Sequence, residues 1–205
     1  MSYPVLSRRE RKKQFVDDSI LKGAVILIEQ QGVLAVTVET ICTQADISRM
    51  TFYKYYRSRH DLLIRLCFDR LLSPLADSIQ IKVRDDSRSL SQQLHDFYQP
   101  LLQWFLQSGR LHRELIIYLV SSFQMDDHDR PELQSFLTSQ LVSFYRHYAG
   151  QLKTGLTPEF CAATTTGAVA GLTFCWLNEP EYPVQQRLQQ VLKYLVTSFT
   201  VSSTA

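Results

Sequence analysis

Turn-formers are scarce in this chain, with seven glycines and seven prolines among 205 residues. That disfavours a turn-rich all-β fold and leaves room for long helices. Cysteine is scarcer still: Cys42, Cys67, Cys161 and Cys175 show no C-x-x-C spacing and read as reduced, partly buried thiols. Cys161 and Cys175 lie two heptads apart on one helical face, so a redox pair between them needs two subunits. No run reaches the ~18 uncharged apolar residues of a membrane span. The nearest, Phe160 to Leu177, is rich in Thr, Gly and Ala, and no membrane partner is expected. The basic stretch Met1–Lys13 is not followed by an apolar segment, so no signal peptide is read and the cytoplasm is the expected compartment. Catalytic motifs are missing as well. There is no G-x-S-x-G, H-E-x-x-H, Walker lysine loop or dinucleotide glycine run. His60, His95, His112, His128 and His147 are scattered, and His112 and Glu114 are too close along a helix to share a face. Asp126, Asp127, His128 and Asp129 read as a solvated acidic loop before a metal site. No enzyme, metal or cofactor is expected.

What is present is a soluble, globular composition, 45% hydrophobic and 20% charged, long enough for one or two domains. The net charge of +2 says little, but its distribution is uneven. Residues 1–65 carry eleven Lys/Arg against seven Asp/Glu, a balance of +4, and residues 66–205 carry eleven against thirteen, a balance of −2. Arg8, Arg9, Arg11, Lys12 and Lys13 crowd together. A basic head on a slightly acidic body suits a small polyanion-binding module joined to something else.

The periodicity is helical from end to end. Ser7 and Glu10 form a capping box for a first helix that stops at Gly32, with Gly23 a weak point inside it. Thr37 caps Val38–Ala45, Asp46-Ile47 makes a tight turn, and Ser48 caps a short helix, Arg49–Tyr55. Ser58 with Asp61 opens a longer helix to about Pro74. Leu90–Leu106 carries a break at Pro100, and Leu111–Phe123 is another helix. A further helix begins at Pro131 and ends near Gly150, Thr157-Pro158-Glu159 caps Pro158–Asn178, and Val184–Phe199 is last. The expected fold is all-α with about nine helices and no strand. It divides into a first domain at 1–57, a linking helix at 58–74 and a second domain at 75–205.

Two short helices joined by a tight turn, after a basic helix, make a helix-turn-helix, whose second helix enters the major groove. Arg49, Thr51, Tyr53 and Lys54 offer charges and hydroxyls to base edges and phosphates. Phe52 and Tyr56, spaced i and i+4, anchor that helix inward. Double-stranded DNA is the partner these residues fit.

Residues 20–63 resemble the DNA-binding domain of the TetR family of transcriptional regulators. The resemblance is carried by Gly32, Thr37-Val38, Ile41-Cys42, Ala45-Asp46-Ile47-Ser48, Thr51-Phe52-Tyr53, Tyr55-Tyr56, Ser58-Arg59 and Leu62. Asp46 stands where a turn glycine is usual, and Asp tolerates a left-handed turn. Met50 stands in place of Gly or Ala at the start of the reading helix, and Arg59 in place of Lys. By position, the resemblance implies phosphate contacts for Thr37, Tyr53 and Arg59. It implies groove-side contacts for Ser48, Arg49, Met50, Thr51, Lys54 and Tyr55.

The resemblance also implies a homodimer through the last two helices and an operator affinity, as of a repressor, set by an effector in the second domain. Ala163, Gly167, Ala170 and Gly171 permit close helix approach, with Phe174, Leu188, Leu192 and Leu195 as the bulk of that interface. Phe97, Trp104, Phe105, Tyr118, Phe144 and Tyr148 are candidates for a pocket that takes a small apolar or aromatic effector. The same aromatics at helical spacing also read as plain core, with a protein partner instead of an effector. The region Gly167–Trp176 is faintly similar to the compact-domain activators of dihydroxyacetone utilisation.

Overall fold

The computed structural model describes residues 7–77, 88–106, 109–122 and 130–201. Its helices are α1 (Arg8–Gln31), α2 (Val38–Gln44), α3 (Arg49–Tyr53), α4 (Arg59–Cys67), α5 (Leu90–Asp96), α6 (Tyr98–Leu106), α7 (Arg110–Ser122), α8 (Arg130–His147), α9 (Pro158–Asn178) and α10 (Val184–Phe199). Among the described residues there is no strand, only one isolated bridge between Leu152 and Thr200. With α5 and α6 counted as one interrupted helix, the total matches the nine expected. The chain forms two compact units, Met1–Phe68 with Gly109–Leu119, and Asp69–Ser108 with Val120–Ala205. The acidic loop 126–129 lies outside the described residues.

In the first unit the caps form where the sequence puts them. Glu10 N–H donates to the Ser7 hydroxyl while the Glu10 carboxylate accepts Ser7 N–H at 2.8 Å. Gly32 ends α1 at φ 84°, a left-handed conformation that a side chain resists. A Cβ there would also lie 3.2 Å from Glu114 Oε2. Gly23, a liability by helix propensity, has a packing reason: its Cβ would meet the Gln44 side chain at 3.3 Å. Asp46 takes φ 53°, so the usual turn glycine is replaced by a residue that still makes the turn. Ile20, Ala24, Ile28, Val33, Ile41, Phe52, Leu62 and Leu63 are all buried.

Two boundaries differ from expectation. The helix from Ser58 does not stop at Pro74. A widened turn, Phe68–Leu72, follows α4, and helix resumes through residue 77. Proline lacks the N–H that would bond the Arg70 carbonyl, and the loosened turn just before it absorbs the lost bond. In the second unit the break falls at Phe97, three residues ahead of Pro100. Pro100 leaves the Asp96 carbonyl without its helical donor, so α5 ends at that residue.

The second unit packs α9 against α8 and α10, and α10 against α5 and α6. Its core runs from Leu90 and Leu94 through Phe105, Phe144, Tyr145, Cys161 and Leu172 to Leu188, Leu195 and Phe199. Tyr145 donates to Thr165 Oγ1 at 2.7 Å, and Thr165 in turn donates to the Cys161 carbonyl at 2.8 Å. This pairing satisfies a phenol that burial holds well above its ordinary pKa. The apolar run read in the sequence lies within α9. α9 is long and apolar enough by composition to cross a membrane, with a mean hydropathy of 1.4 over 18 residues. Its Ala, Val, Leu, Phe and Cys outweigh the Thr and Gly that dilute it. One face of α9 enters the core at Cys161, Ala162, Thr165, Leu172 and Thr173.

Burial also sets thiol reactivity. Cys67 is fully buried and its pKa is pushed up to about 12. Cys42 and Cys161 are raised by the same loss of water. Because the thiolate is the nucleophile, native alkylation near pH 8 followed by peptide mass analysis is expected to mark half-buried Cys175 first and Cys67 only after unfolding. Early labelling of Cys67 would contradict the packing of the first unit.

Candidate nucleic-acid interface

α3 is five residues long, too short to hold itself together, so its position is set by what it buries. Phe52 is fully buried, with ring centroids 5.5 Å from Tyr53 and 5.8 Å from Tyr56. Tyr56 is buried as well, and its hydroxyl donates to Asp17 Oδ1 at 2.6 Å. α3 packs on α2, and Tyr56 just beyond it ties the chain to α1. The opposite face is exposed. Arg49, Met50, Tyr53 and Lys54 occupy positions i, i+1, i+4 and i+5 and all face solvent. Met50 is 72% and Tyr53 55% exposed, apolar area that nothing in the subunit covers.

The remaining candidates hold local geometry. The Thr37 hydroxyl accepts Thr40 N–H at 3.2 Å and caps α2. The Ser48 hydroxyl accepts Thr51 N–H at 3.1 Å and caps α3, with Thr51 Oγ1 2.9 Å away. Thr51 and Tyr55 are half-buried at the edge of the exposed face. The basic residues Arg8, Arg9, Arg11, Lys12 and Lys13 are exposed on the first turns of α1.

Two acidic residues that sequence reasoning missed shape this region. Arg49 pairs with Glu39 of α2, which orients the guanidinium and offsets the negative charge of the carboxylate. The Glu39 carboxyl is held below its ordinary pKa, first by its own backbone N–H at the start of α2, then by Thr37 and Arg49. Glu114 of α7 accepts Val33 N–H at 2.8 Å, 81 residues away along the chain. Neither pairing leaves a periodic or motif signal.

Arg59 departs from expectation. The resemblance implied a phosphate contact, yet its guanidinium turns inward, donates to the Val33 carbonyl and sits 5.8 Å from the Tyr118 ring centroid. Arg, unlike Lys, can hold a carbonyl and stack on a ring at once. Arg59 and Glu114 therefore grip the same turn, Val33–Ala35, through its carbonyl and its N–H. Tyr118 lies here too, hydrogen-bonded to His60 Nδ1, in the first unit and apart from the other pocket candidates. Those others are packed. Phe97 meets Phe144 at 4.9 Å, Phe144 meets Tyr148 at 5.3 Å, and Phe105 meets half-buried Trp104 at 5.0 Å.

The interface candidates separate into two groups. Ala163, Gly167, Ala170, Gly171 and Phe174 form an exposed stripe on α9, continued by Phe160 at 55% exposure. Leu188, Leu192 and Leu195 are at most 5% exposed and belong to the subunit's own core. Helical spacing identified the apolar face of α10 but could not say which neighbour it meets. The outward side of α10 beside them carries Tyr194, 62% exposed.

The model of bacterial regulatory proteins of the tetR family matches residues 20–66, the stretch from the core of α1 through the exposed α3 face into α4. Residues 20–66 are thus similar to the DNA-binding domain of the tetR family. The chain's fold is also that of solved TetR structures. SmeT, the repressor of the Stenotrophomonas maltophilia multidrug efflux pump SmeDEF, aligns over 91% of each chain at 16% identity with a TM-score of 0.72. SmeT is also solved as a triclosan complex. Thermus thermophilus FadR, a transcriptional repressor in complex with lauroyl-CoA, is 18% identical and aligns over 92% of this chain and 98% of its own, with a TM-score of 0.73. NalD, the secondary repressor of the Pseudomonas aeruginosa MexAB-OprM pump, is 17% identical over 92% and 98%, with a TM-score of 0.68. No curated protein matches.

Proposed function

We propose that this protein is a homodimeric repressor whose operator affinity is set by a small molecule. Residues 1–57 read DNA, 58–74 link, and 75–205 dimerise and take the effector. The single observation that carries the DNA reading is the exposed face of α3, where Arg49, Met50, Tyr53 and Lys54 face solvent over a buried Phe52 anchor. Tyr53 suits a phosphate, Arg49 and Lys54 suit a guanine edge, and Met50 suits a thymine methyl. A reading helix this short needs a second copy to cover two half-sites, and the α9 stripe supplies a surface for that copy. The effector reading draws on SmeT and FadR, which are repressors solved with small molecules bound. An effector acts only as far as it binds one state better, typically ~1–3 kcal/mol of coupling. Work on DNA supports a cytoplasmic location.

The test is a fluorescence anisotropy titration against selected operator DNA. Log affinity is expected to fall linearly with log salt as phosphate counterions are released. Tyr53→Phe should weaken all sequences about equally, while Thr51→Ala and Lys54→Ala should also shift base preference, each by about 1–3 kcal/mol at the affected position. Binding that ignores salt and survives all three substitutions would sink the reading.

A further inference from the structure

The packed aromatic core turns attention to the open space of the second unit. A groove of about 1060 Å³ runs between α5–α6 and α10, at the upper end of the ~300–1,000 Å³ usual for small-molecule sites. Its apolar side is formed by Leu192 and Val196, and its polar walls carry Arg88, His95, Asp96 and Lys193. The charges on these walls do not balance. Asp96 is paired with Arg88, whereas Lys193 has no carboxylate partner among the described residues. A concave wall with one uncompensated ammonium beside an apolar strip matches a molecule with a single negative end and a short hydrocarbon body.

We infer that this groove is the effector site and that its ligand is a small organic carboxylate. The carboxylate meets the Lys193 ammonium, with the His95 imidazole on the facing wall, and the hydrocarbon part lies along Leu192 and Val196. Binding there would bridge α10 to α5 and α6, helices whose packing already forms the core of this unit. The site differs from the aromatic set that the sequence suggested for a small apolar or aromatic effector, because those rings fill one another's space. This assignment rests on the proposed effector control.

The experiment uses the full chain with octanoate and phenylacetate as probes and their neutral amides as controls. Calorimetry is expected to give one carboxylate per chain, with the amides about tenfold weaker or worse, since a charge-assisted hydrogen bond is lost. Lys193→Gln and, separately, Gln189→Glu on the same groove wall should each weaken carboxylate binding by about tenfold or more. Both sites are exposed, so the ligand-free thermal midpoint should stay unchanged, which separates lost binding from lost fold. Operator affinity is measured in parallel. If the carboxylates bind through Lys193 and operator affinity does not move, the groove stands and effector control fails. If operator affinity responds to compounds whose binding ignores both substitutions, effector control stands and the groove is overturned. Amides that bind as well as acids, or no binding by either acid, overturn the carboxylate assignment.

Discussion

Gly171→Arg is expected to leave the subunit folded, convert a dimer to a monomer, and weaken operator binding by about two to four orders of magnitude. Ala163, Gly167 and Gly171 recur every four residues on the exposed side of α9, which lets a second helix approach backbone to backbone. A Cβ at Gly167 or Gly171 meets nothing within 4 Å in the single chain, so the subunit has no internal reason to keep glycine there. Arginine is also the better helix former, by roughly 0.8–1 kcal/mol, so the variant should not lose stability from its own helix. In a dimer packed through the stripe, the same side chain would be a buried cation without a partner, costing several kcal/mol. Operator affinity falls because two linked reading helices gain an effective concentration that a lone one lacks. Gly150→Arg is the control, since Gly150 is exposed, has an equally empty surround and lies off the stripe. Light scattering at micromolar concentration and anisotropy on a full operator are the measurements. A monomeric unmodified protein, or a Gly171→Arg protein that remains dimeric, would refute the interface.

How much of this was legible in the sequence depended on how local each determinant was. The caps at Ser7, Thr37, Ser48, Ser58 and Thr157 are set by residues three apart, and they form as read. Phe52 and Tyr56 are likewise a local pair, and their burial followed from spacing alone. Long-range partners were not legible. The Glu114 and Arg59 hold on Val33 joins α7, α4 and the turn after α1, and nothing near Val33 in sequence announces it. The face of α10 was identified as apolar but assigned to the wrong neighbour, because periodicity reports that a side chain is covered and not by what. The aromatic set stayed open between pocket and plain core for a related reason: whether rings enclose a space or fill it depends on packing distances that composition does not carry. Even a local rule misplaced the proline effects by a few residues, since Pro74 and Pro100 act on the turn before them.

Phe52→Ala is expected to abolish operator binding and leave the second unit folded. Phe52 is fully exposed to neither solvent nor groove; it is 0% accessible and is the side chain that ties a five-residue helix to its domain. Truncating a buried phenylalanine costs ~3–5 kcal/mol, against a total of ~5–15 kcal/mol for a typical domain. The loss falls on a small unit in which α3 has no helical stability of its own, so the reading helix detaches before anything else melts. Tyr56 then loses its ring neighbour and its hydrogen bond to Asp17 is strained, which spreads the damage to α1. The second core is built from residues 90 to 199 and contains none of these side chains. Thermal unfolding by circular dichroism should therefore show an early partial transition in the variant and a later one near the original midpoint, with light scattering still reporting the unmodified oligomeric state. Phe52→Leu, which keeps most of the volume, should cost much less and retain measurable operator affinity. A Phe52→Ala protein that binds operator normally would mean that α3 is not held by this anchor. One that unfolds in a single step would mean that the two units share one cooperative core.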